Sequence, residues 1–179
     1  ETLDKVRKIG YKFVQVSGVK GLTPEEIADV VKAADLKICA THLPWEMFLE
    51  NSEEVIRVHK LYQCRHSAIG GLPKEYFNAE GAQRFLKEAK SVLPSFYQEN
   101  IDFSYHNHSH EFAWYQGEPW IDHIIKGSEK AGINFEFDTY WIVAGGADPA
   151  AYIKKCRKRM SIVHFKDMII SADREQRFA

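Results

Sequence analysis

The sequence has no excess of charge of either sign. It contains 24 lysine and arginine residues against 25 aspartate and glutamate residues, and the formal net charge at pH 7 is -1 with the histidines neutral. A protein that holds a nucleic-acid backbone or an anionic membrane by charge needs a broad basic surface. The composition therefore predicts neither partner and favours a small, weakly charged or neutral ligand. The one basic run, KKCRKR at Lys154 to Arg159, is interpreted as a solvated helix face.

Long apolar runs and paired cysteines are also missing. No segment approaches the roughly 20 apolar residues of a membrane-spanning helix, and the N-terminal ETLDKVRKIG lacks the apolar core of a signal peptide. Cys39, Cys64 and Cys156 lack the spacing of a zinc ribbon or a redox motif, which predicts free thiols. We therefore expect a soluble chain in a reducing compartment, the cytoplasm. The periplasm stays open as an alternative, because the sequence begins inside a fold.

Helix and strand patterns alternate along the 179 residues, of which 45% are hydrophobic. Six strand patterns separated by helices over short links predict a parallel sheet covered by helices. The chain opens on a helical pattern and stops just after a strand pattern. We therefore predict one α/β domain over residues 1–179, a (β/α)8 TIM barrel without its first and last strands. No glycine-rich phosphate loop follows the early strands, so a dinucleotide-binding fold has no support.

The stretch FSYHNHSHEF gathers three histidines and a glutamate where a strand pattern ends. In a parallel barrel, residues that face the helices are apolar and the residues between them face inward. This alternation places His106 and His108 inside at the end of IDFSYHNH. The same alternation on the other strands places these polar residues inside: His42 on LKICATHLPW, Glu136 and Asp138 on INFEFDTYW, and His164 and Lys166 on MSIVHFKDM.

Four strands thus bring imidazole or carboxylate groups to one rim of the barrel. Imidazole and carboxylate are the ligands that a borderline divalent cation such as Zn²⁺, Mn²⁺ or Co²⁺ takes. The prediction depends on the strand phase, because a slip of one residue would reverse every assignment. We predict one metal ion at this rim.

Structural roles compete with these functional ones. A single strand histidine is commonly a hydrogen-bonded structural residue, which is the leading alternative for His42 beside the LPW turn. His110 and His123 are interpreted as loop and helix-surface residues. Glu111 stays open between a ligand, a partner of a ligand and a solvated loop charge. Trp141 directly follows the rim, and Lys166 facing inward needs a partner or a substrate oxygen, since a buried unpaired charge is unfavourable.

Three motifs resemble those of the sugar phosphate isomerase/epimerase group of the xylose isomerase-like barrel superfamily. YHNHSHEF resembles its fifth-strand signature, FDTYWIVAGGADPAAYIKK its sixth strand and following helix, and VHFKDM its seventh strand. The resemblance implies one divalent metal held by a carboxylate from each of the fifth, sixth and eighth strands and a histidine from the seventh. Asp138 takes the sixth-strand position and His164 the seventh. His106 stands where many relatives have glutamate, so it is either a ligand or the base, and the eighth-strand glutamate would lie beyond Ala179.

The implied function is a metal-dependent isomerase or epimerase of a sugar or keto-sugar, which abstracts a proton beside a carbonyl through an enediolate. His108 and Glu111 are proton-transfer candidates, and Trp141, Trp45, His42 and Lys166 are candidate sugar contacts. A lyase or glycoside-cleaving relative with the same carbanion chemistry stays open, as do a non-catalytic sugar-binding barrel and a homo-oligomer. The superfamily also includes zinc DNA-repair endonucleases, which the near-zero charge disfavours.

Overall fold

The computed structural model describes residues 1–170, 172 and 176–178. In this part of the chain the α-helices are α1 (Thr2–Ile9), α2 (Pro24–Ala33), α3 (Trp45–Glu50), α4 (Ser52–Tyr62), α5 (Ala79–Gln98), α6 (Trp120–Ala131), α7 (Thr139–Ala144) and α8 (Pro149–Cys156). The strands are β1 (Phe13–Ser17), β2 (Lys37–His42), β3 (His66–Ile69), β4 (Asp102–His106), β5 (Trp114–Tyr115), β6 (Glu118–Pro119), β7 (Asn134–Asp138), β8 (Met160–His164), β9 (Met168–Ile170) and β10 (Gln176–Phe178).

Six strands form one parallel sheet in the order β1-β2-β3-β4-β7-β8. Each strand pairs with its neighbour in parallel, and helices connect them along one face. Two antiparallel pairs, β5 with β6 and β9 with β10, lie outside this sheet. The six strands curl as part of a barrel, which confirms the prediction of a (β/α)8 architecture that is partial over this chain.

The local sequence explains where the helices start and end. Thr23 caps α2 through a hydrogen bond that its side chain accepts from Glu26 N at 3.2 Å, and the Glu26 carboxylate accepts one from Thr23 N at 2.7 Å. This reciprocal pair satisfies two backbone donors at the helix start. Gly10 ends α1 with a φ of 116°, a left-handed conformation that glycine adopts readily.

The hydrophobic core confirms the predicted alternation on β4 and β7. Phe103, Tyr105, Phe135 and Phe137 are fully buried against the helices. The polar residues between them point to the other face of the sheet. The core therefore sits between sheet and helices and leaves the inner face to polar side chains.

Two elements differ from the sequence predictions, and a third contains an internal proline. Pro94 lies inside α5, which runs unbroken from Ala79 to Gln98, because its buried face, including Phe85, Leu93 and Phe96 at 0% exposure, offsets the roughly 3 kcal/mol that a proline costs inside a helix. The loop expected after LPW is helix α3. The strand expected to reach Trp141 ends at Asp138, whose side chain caps α7 by accepting a hydrogen bond from Trp141 N.

Candidate metal and substrate site

The sheet register brings four candidate side chains together at the carboxyl ends of the strands. In the strand register, Asp138 on β7 lies opposite His164 on β8, and His106 on β4 lies opposite Glu136 on β7. The His106 ring lies 4.7 Å from the His42 ring and 4.9 Å from the His164 ring. The structure therefore places together His42, His106, Asp138 and His164, four of the residues that the strand alternation had assigned to one rim.

Asp138 is the centre of this group and is fully buried. Its Oδ2 lies 3.5 Å from His106 Nε2, 3.5 Å from His164 Nδ1 and 3.1 Å from Lys166 Nζ. None of the described residues donates a well-aligned hydrogen bond to Oδ2. Burial opposes ionisation, but these polar contacts outweigh it and hold the pKa of Asp138 well below its ordinary range.

The separations around Asp138 fit a metal ion. Ligand atoms about 2.0–2.1 Å from a tetrahedral ion lie about 3.3–3.4 Å from one another, and both imidazole nitrogens are 3.5 Å from Asp138 Oδ2. Asp138 Oδ2 is buried without a hydrogen-bond partner among the described residues, which leaves it available to an ion. His106, Asp138 and His164 therefore provide an N₂O donor set suited to a borderline divalent cation.

The second nitrogen of His164 is held by two residues on other strands. His164 Nε2 lies 2.6 Å from Glu136 Oε1 and 2.7 Å from Gln15 Oε1, and Gln15 Nε2 donates to Glu136 Oε1 at 2.8 Å. The carboxylates of Asp138 and Glu136 raise the pKa of His164 to about 9. Burial opposes ionisation of Glu136, but hydrogen bonds from His164 and His42 lower its pKa to about 2. This arrangement keeps a proton on Nε2 and directs Nδ1 toward Asp138.

His42 shares the Glu136 carboxylate. Its Nε2 lies 3.2 Å from Glu136 Oε1, and its Nδ1 lies 3.2 Å from the hydroxyl of Ser17. His42, Glu136 and His164 also satisfy the spacing of a metal group. Their separations of 2.6 and 3.2 Å are those of hydrogen bonds, however, so the Asp138 group is the better metal site.

Glu111 stabilises the end of β4 and the residues just after it. Its carboxylate is fully buried and accepts hydrogen bonds from the Tyr105 hydroxyl at 3.1 Å and from His108 N at 2.9 Å. Burial raises the pKa of Glu111 to about 7 and, with the neighbouring His106 and His110, lowers the pKa of His108 to about 4. The His108 imidazole is therefore neutral near pH 7.

A cavity of about 430 Å³ opens beside these residues. It is lined by Gly18, His42, Leu43, Pro44, Gly70, Gly71, Leu72, His108 and His110. A side chain at Gly70 would contact His42, and one at Gly71 would contact His108. Gly71 also has a φ of 140°, which other residues rarely adopt. The two glycines thus leave both imidazoles accessible from the cavity.

The candidate sugar contacts differ in position. The Trp141 ring lies 5.2 Å from the His108 ring, and Lys166 Nζ lies 5.5 Å from the Trp141 ring centre. Trp45 is 1% exposed and packs in the core against Phe48, because α3 starts at this residue and turns it toward the helices. The structure therefore brings Trp141 and Lys166 to the site but not Trp45.

Sequence reasoning missed several residues of this site. Gln15 and Glu136 were not among the candidates, although Glu136 fell on the same inward set as Asp138. His110, expected on a loop, lines the cavity from a 3₁₀ turn at His110–Phe112. His123 lies apart on α6, paired with Glu118 at 3.2 Å.

Two further polar residues fix the rim. Asn107 Oδ1 accepts a hydrogen bond from Asp138 N at 2.9 Å, which joins the ends of β4 and β7. Thr139 Oγ1 accepts one from Lys166 N at 2.9 Å and donates to Lys166 O at 2.8 Å, which joins β7 to the segment after β8. The run YHNH does not by itself indicate the role of Asn107, because that role depends on the contact with Asp138 on another strand.

Comparisons with known proteins place the fold. No family profile matches the sequence, and no curated protein is similar to it. Among solved structures, 76 chains match. A sugar phosphate isomerase/epimerase from Parabacteroides distasonis aligns with a TM-score of 0.81 and 22% identity, covering 96% of this chain and 70% of that one.

Two more structures extend the comparison. A probable 3-DHS dehydratase from Bacillus anthracis aligns with a TM-score of 0.69 and 16% identity, covering 96% of this chain and 68% of that one. A xylose isomerase domain protein from Planctomyces limnophilus aligns with a TM-score of 0.68 and 12% identity, covering 93% of this chain and 68% of that one.

These similarities show that the chain shares the TIM-barrel fold of these proteins. Within that class, the structural neighbours include sugar phosphate isomerase/epimerase proteins, the group that the three sequence motifs resemble. Identities of 22% or less establish the shared fold and leave the chemistry to the site. None of the helices in the described residues combines the length and apolar character needed to cross a bilayer.

Proposed function

We propose that this protein is a divalent-metal-dependent isomerase or epimerase of a sugar or keto-sugar. The observation that carries the proposal is the Asp138 group, in which two imidazole nitrogens lie 3.5 Å from one buried carboxylate oxygen. The same fold in a sugar phosphate isomerase/epimerase supports the substrate class. The substrate is a small polyol with a carbonyl group, since the near-neutral chain offers no broad charged surface.

His106, Asp138 and His164 would hold the ion, with Mn²⁺, Zn²⁺ and Co²⁺ as the candidates. Such an ion supplies Lewis acidity, which polarises a carbonyl and its adjacent hydroxyl and stabilises negative charge on their oxygens. Glu136 and Gln15 orient His164 through Nε2 and so keep Nδ1 available to the ion. Asn107 holds the backbone of Asp138 in register with β4.

His42 is the strongest candidate for the base. Its Nε2 donates to the ionised Glu136, and among the described residues its Nδ1 has a hydrogen-bond contact with the exposed Ser17 hydroxyl, which a substrate can replace. A carboxylate behind an imidazole fixes its tautomer and stabilises the imidazolium that forms when it takes a proton. His42 would remove the proton from the carbon beside the carbonyl. Return of that proton to the neighbouring carbon completes an isomerisation.

His108 is the second group that can carry a proton in the cavity. Its low pKa keeps it neutral at pH 7, and Glu111 fixes its backbone. If His108 removes the proton and a protonated His42 returns one to the opposite face of the same carbon, the reaction is an epimerisation. Trp141 would cover the apolar face of the sugar, and Lys166 would bind one of its oxygens.

Proton exchange tests this function directly. The full chain, loaded in turn with Mn²⁺, Zn²⁺ and Co²⁺, would be incubated in D₂O with ketoses and 3-keto sugars, and loss of the C–H signal beside the carbonyl followed by ¹H NMR. We expect exchange that EDTA abolishes and that falls at least 100-fold in Asp138→Asn and His42→Gln. His123→Gln is the matched control, because its imidazole also pairs with a carboxylate but lies outside the site.

Exchange that survives EDTA and the Asp138→Asn substitution would refute the proposal. Sugar binding without any metal dependence or exchange would indicate the non-catalytic sugar-binding barrel instead. A lyase is the second candidate, because one similar structure is a probable 3-DHS dehydratase and an elimination begins with the same proton loss. An unsaturated product in place of an isomeric sugar would identify that reaction.

A further inference from the structure

A second cluster of metal-capable side chains lies beside the Asp138 group and is separate from it. His108, His110 and Glu111 each offer one ligand atom, and these atoms lie within 4.8 Å of one another. None of the three belongs to the His106, Asp138 and His164 set. They come from the short segment that leaves β4 and forms the following 3₁₀ turn.

The distances in this cluster are close to those around an ion. His110 Nε2 lies 3.4 Å from Glu111 Oε1, and His108 Nδ1 lies 4.0 Å from the same oxygen. The first separation equals the roughly 3.4 Å edge of a tetrahedral zinc-type site, and the second needs a closure of about 0.6 Å. A small rotation of the His108 side chain, which is 31% exposed, would provide this closure.

Contacts within the protein already restrict the Glu111 and His110 side chains. The Tyr105 hydroxyl and His108 N fix the Glu111 carboxylate. The His110 ring stacks on the His108 ring at 5.6 Å and 15°, and meets the edge of Phe77 at 4.5 Å. A site whose ligands are ordered beforehand loses less conformational entropy when it binds.

One atom in the cluster is unexplained by the protein contacts. His108 Nδ1 is buried and has no hydrogen-bond partner among the described residues. A buried polar atom without a partner is unfavourable. A metal ion bound to Nδ1 would satisfy it. Both histidines also line the cavity, which gives an ion a path of entry and leaves its remaining position open to the cavity.

We propose that His108, His110 and Glu111 bind a second divalent cation of the zinc or cobalt class. The N₂O donor set suits borderline cations in preference to Mg²⁺ or Ca²⁺, which take oxygen ligands. An ion on His108 removes this imidazole from proton transfer and leaves His42 as the base. This second site therefore goes beyond the proposed function and, where that function holds, favours isomerisation over epimerisation.

Metal stoichiometry tests the proposal without an activity assay. The untagged full chain would be freed of metal with a chelator, dialysed against Co²⁺ or Zn²⁺, and analysed by elemental mass spectrometry and by the visible absorption of bound Co²⁺. We expect two ions per chain in the wild type, one in His110→Gln, one in Asp138→Asn and two in the control His123→Gln. The single ion in His110→Gln should retain the visible spectrum of the Asp138 site.

The variants separate the two sites. If His110→Gln loses an ion and Asp138→Asn does not, the second site stands and the Asp138 centre is refuted. One ion in the wild type that His110→Gln retains overturns the second site and leaves the proposed function intact. His110 is more than half exposed, so its variant should fold normally. Circular dichroism checks this, and Glu111→Gln, which keeps the shape of the side chain, should lose the same ion.

Discussion

Replacement of Glu136 by glutamine should weaken metal binding although Glu136 does not contact the proposed ion. Its Oε1 lies 2.6 Å from His164 Nε2 in an ion pair and accepts hydrogen bonds from Gln15 Nε2 at 2.8 Å and His42 Nε2 at 3.2 Å. Glutamine keeps the volume and one acceptor oxygen but removes the charge and can present an amide group to His164. His164 would then be free to change its tautomer or turn its ring.

The expected effects follow from those three contacts. Loss of a carboxylate partner behind a metal-binding histidine lowers metal affinity by about 10-fold to 100-fold. Hydrogen bonds to a charged group contribute about 1.5–3 kcal/mol each, roughly twice the contribution of neutral ones. Because the bonds to His42 and His164 would be weakened and not all removed, we expect the metal-free protein to lose about 1–3 kcal/mol of unfolding free energy.

Two measurements separate the positioning effect from simple destabilisation. Isothermal titration with Zn²⁺ or Co²⁺ gives the affinity, and ¹⁵N chemical shifts of the His164 ring report its tautomer. Glu88→Gln is the control, since Glu88 is a partly buried carboxylate that likewise accepts hydrogen bonds from other side chains, Trp45 Nε1 and the Tyr76 hydroxyl. It should lower stability and leave metal affinity unchanged. Equal metal affinity in Glu136→Gln and wild type, with an unchanged His164 tautomer, would contradict this account of the site.

Three further predictions concern the rest of the molecule. Trp45→Ala should destabilise the fold by about 3–5 kcal/mol without changing metal affinity, because Trp45 lies in the core; weaker sugar binding at unchanged stability would contradict this. Burial lowers the pKa of His59, so acidification from pH 7 to 5 should destabilise the wild type more than His59→Asn. Urea titrations at the two pH values measure this, and equal losses of unfolding free energy in the two proteins would argue against it. Burial raises the pKa of the thiols of Cys64 and Cys156 to about 12 and 11, so iodoacetamide at pH 7.5 should label them only after unfolding.

The part of the site that could be predicted from the sequence is the part fixed by strand periodicity. The phase of β4 and β7 follows from their fully buried aromatic residues, and this phase assigns His106 and Asp138 to one face. On β8, which has no fully buried aromatic residue, His164 follows from the predicted alternation alone. The roles of Gln15 and Glu136 could not be found in this way. They depend on contacts between strands that are 121 and 149 residues apart in sequence.

Local ambiguity explains the remaining differences. The residues after LPW could continue as a loop or start a helix, and only the packing of Trp45 and Phe48 against the core decides for α3. INFEFDTYW reads as one apolar strand, yet Asp138 ends it because its carboxylate caps the next helix. The same carboxylate function that made Asp138 a ligand candidate therefore also sets the end of the strand.

The contact between Lys166 and Asp138 has a consequence for how the protein acquires its metal. A buried carboxylate without a counter-ion would oppose folding, but Lys166 Nζ lies 3.1 Å from Asp138 Oδ2 and neutralises it. An incoming ion would exchange with this ammonium group, which lies 5.4 Å from the Tyr140 ring and can remain against it. Small metallo-domains fold only when the metal binds. Here Lys166 already neutralises the carboxylate in the metal-free protein. We therefore expect the chain to fold first and to bind the metal afterwards.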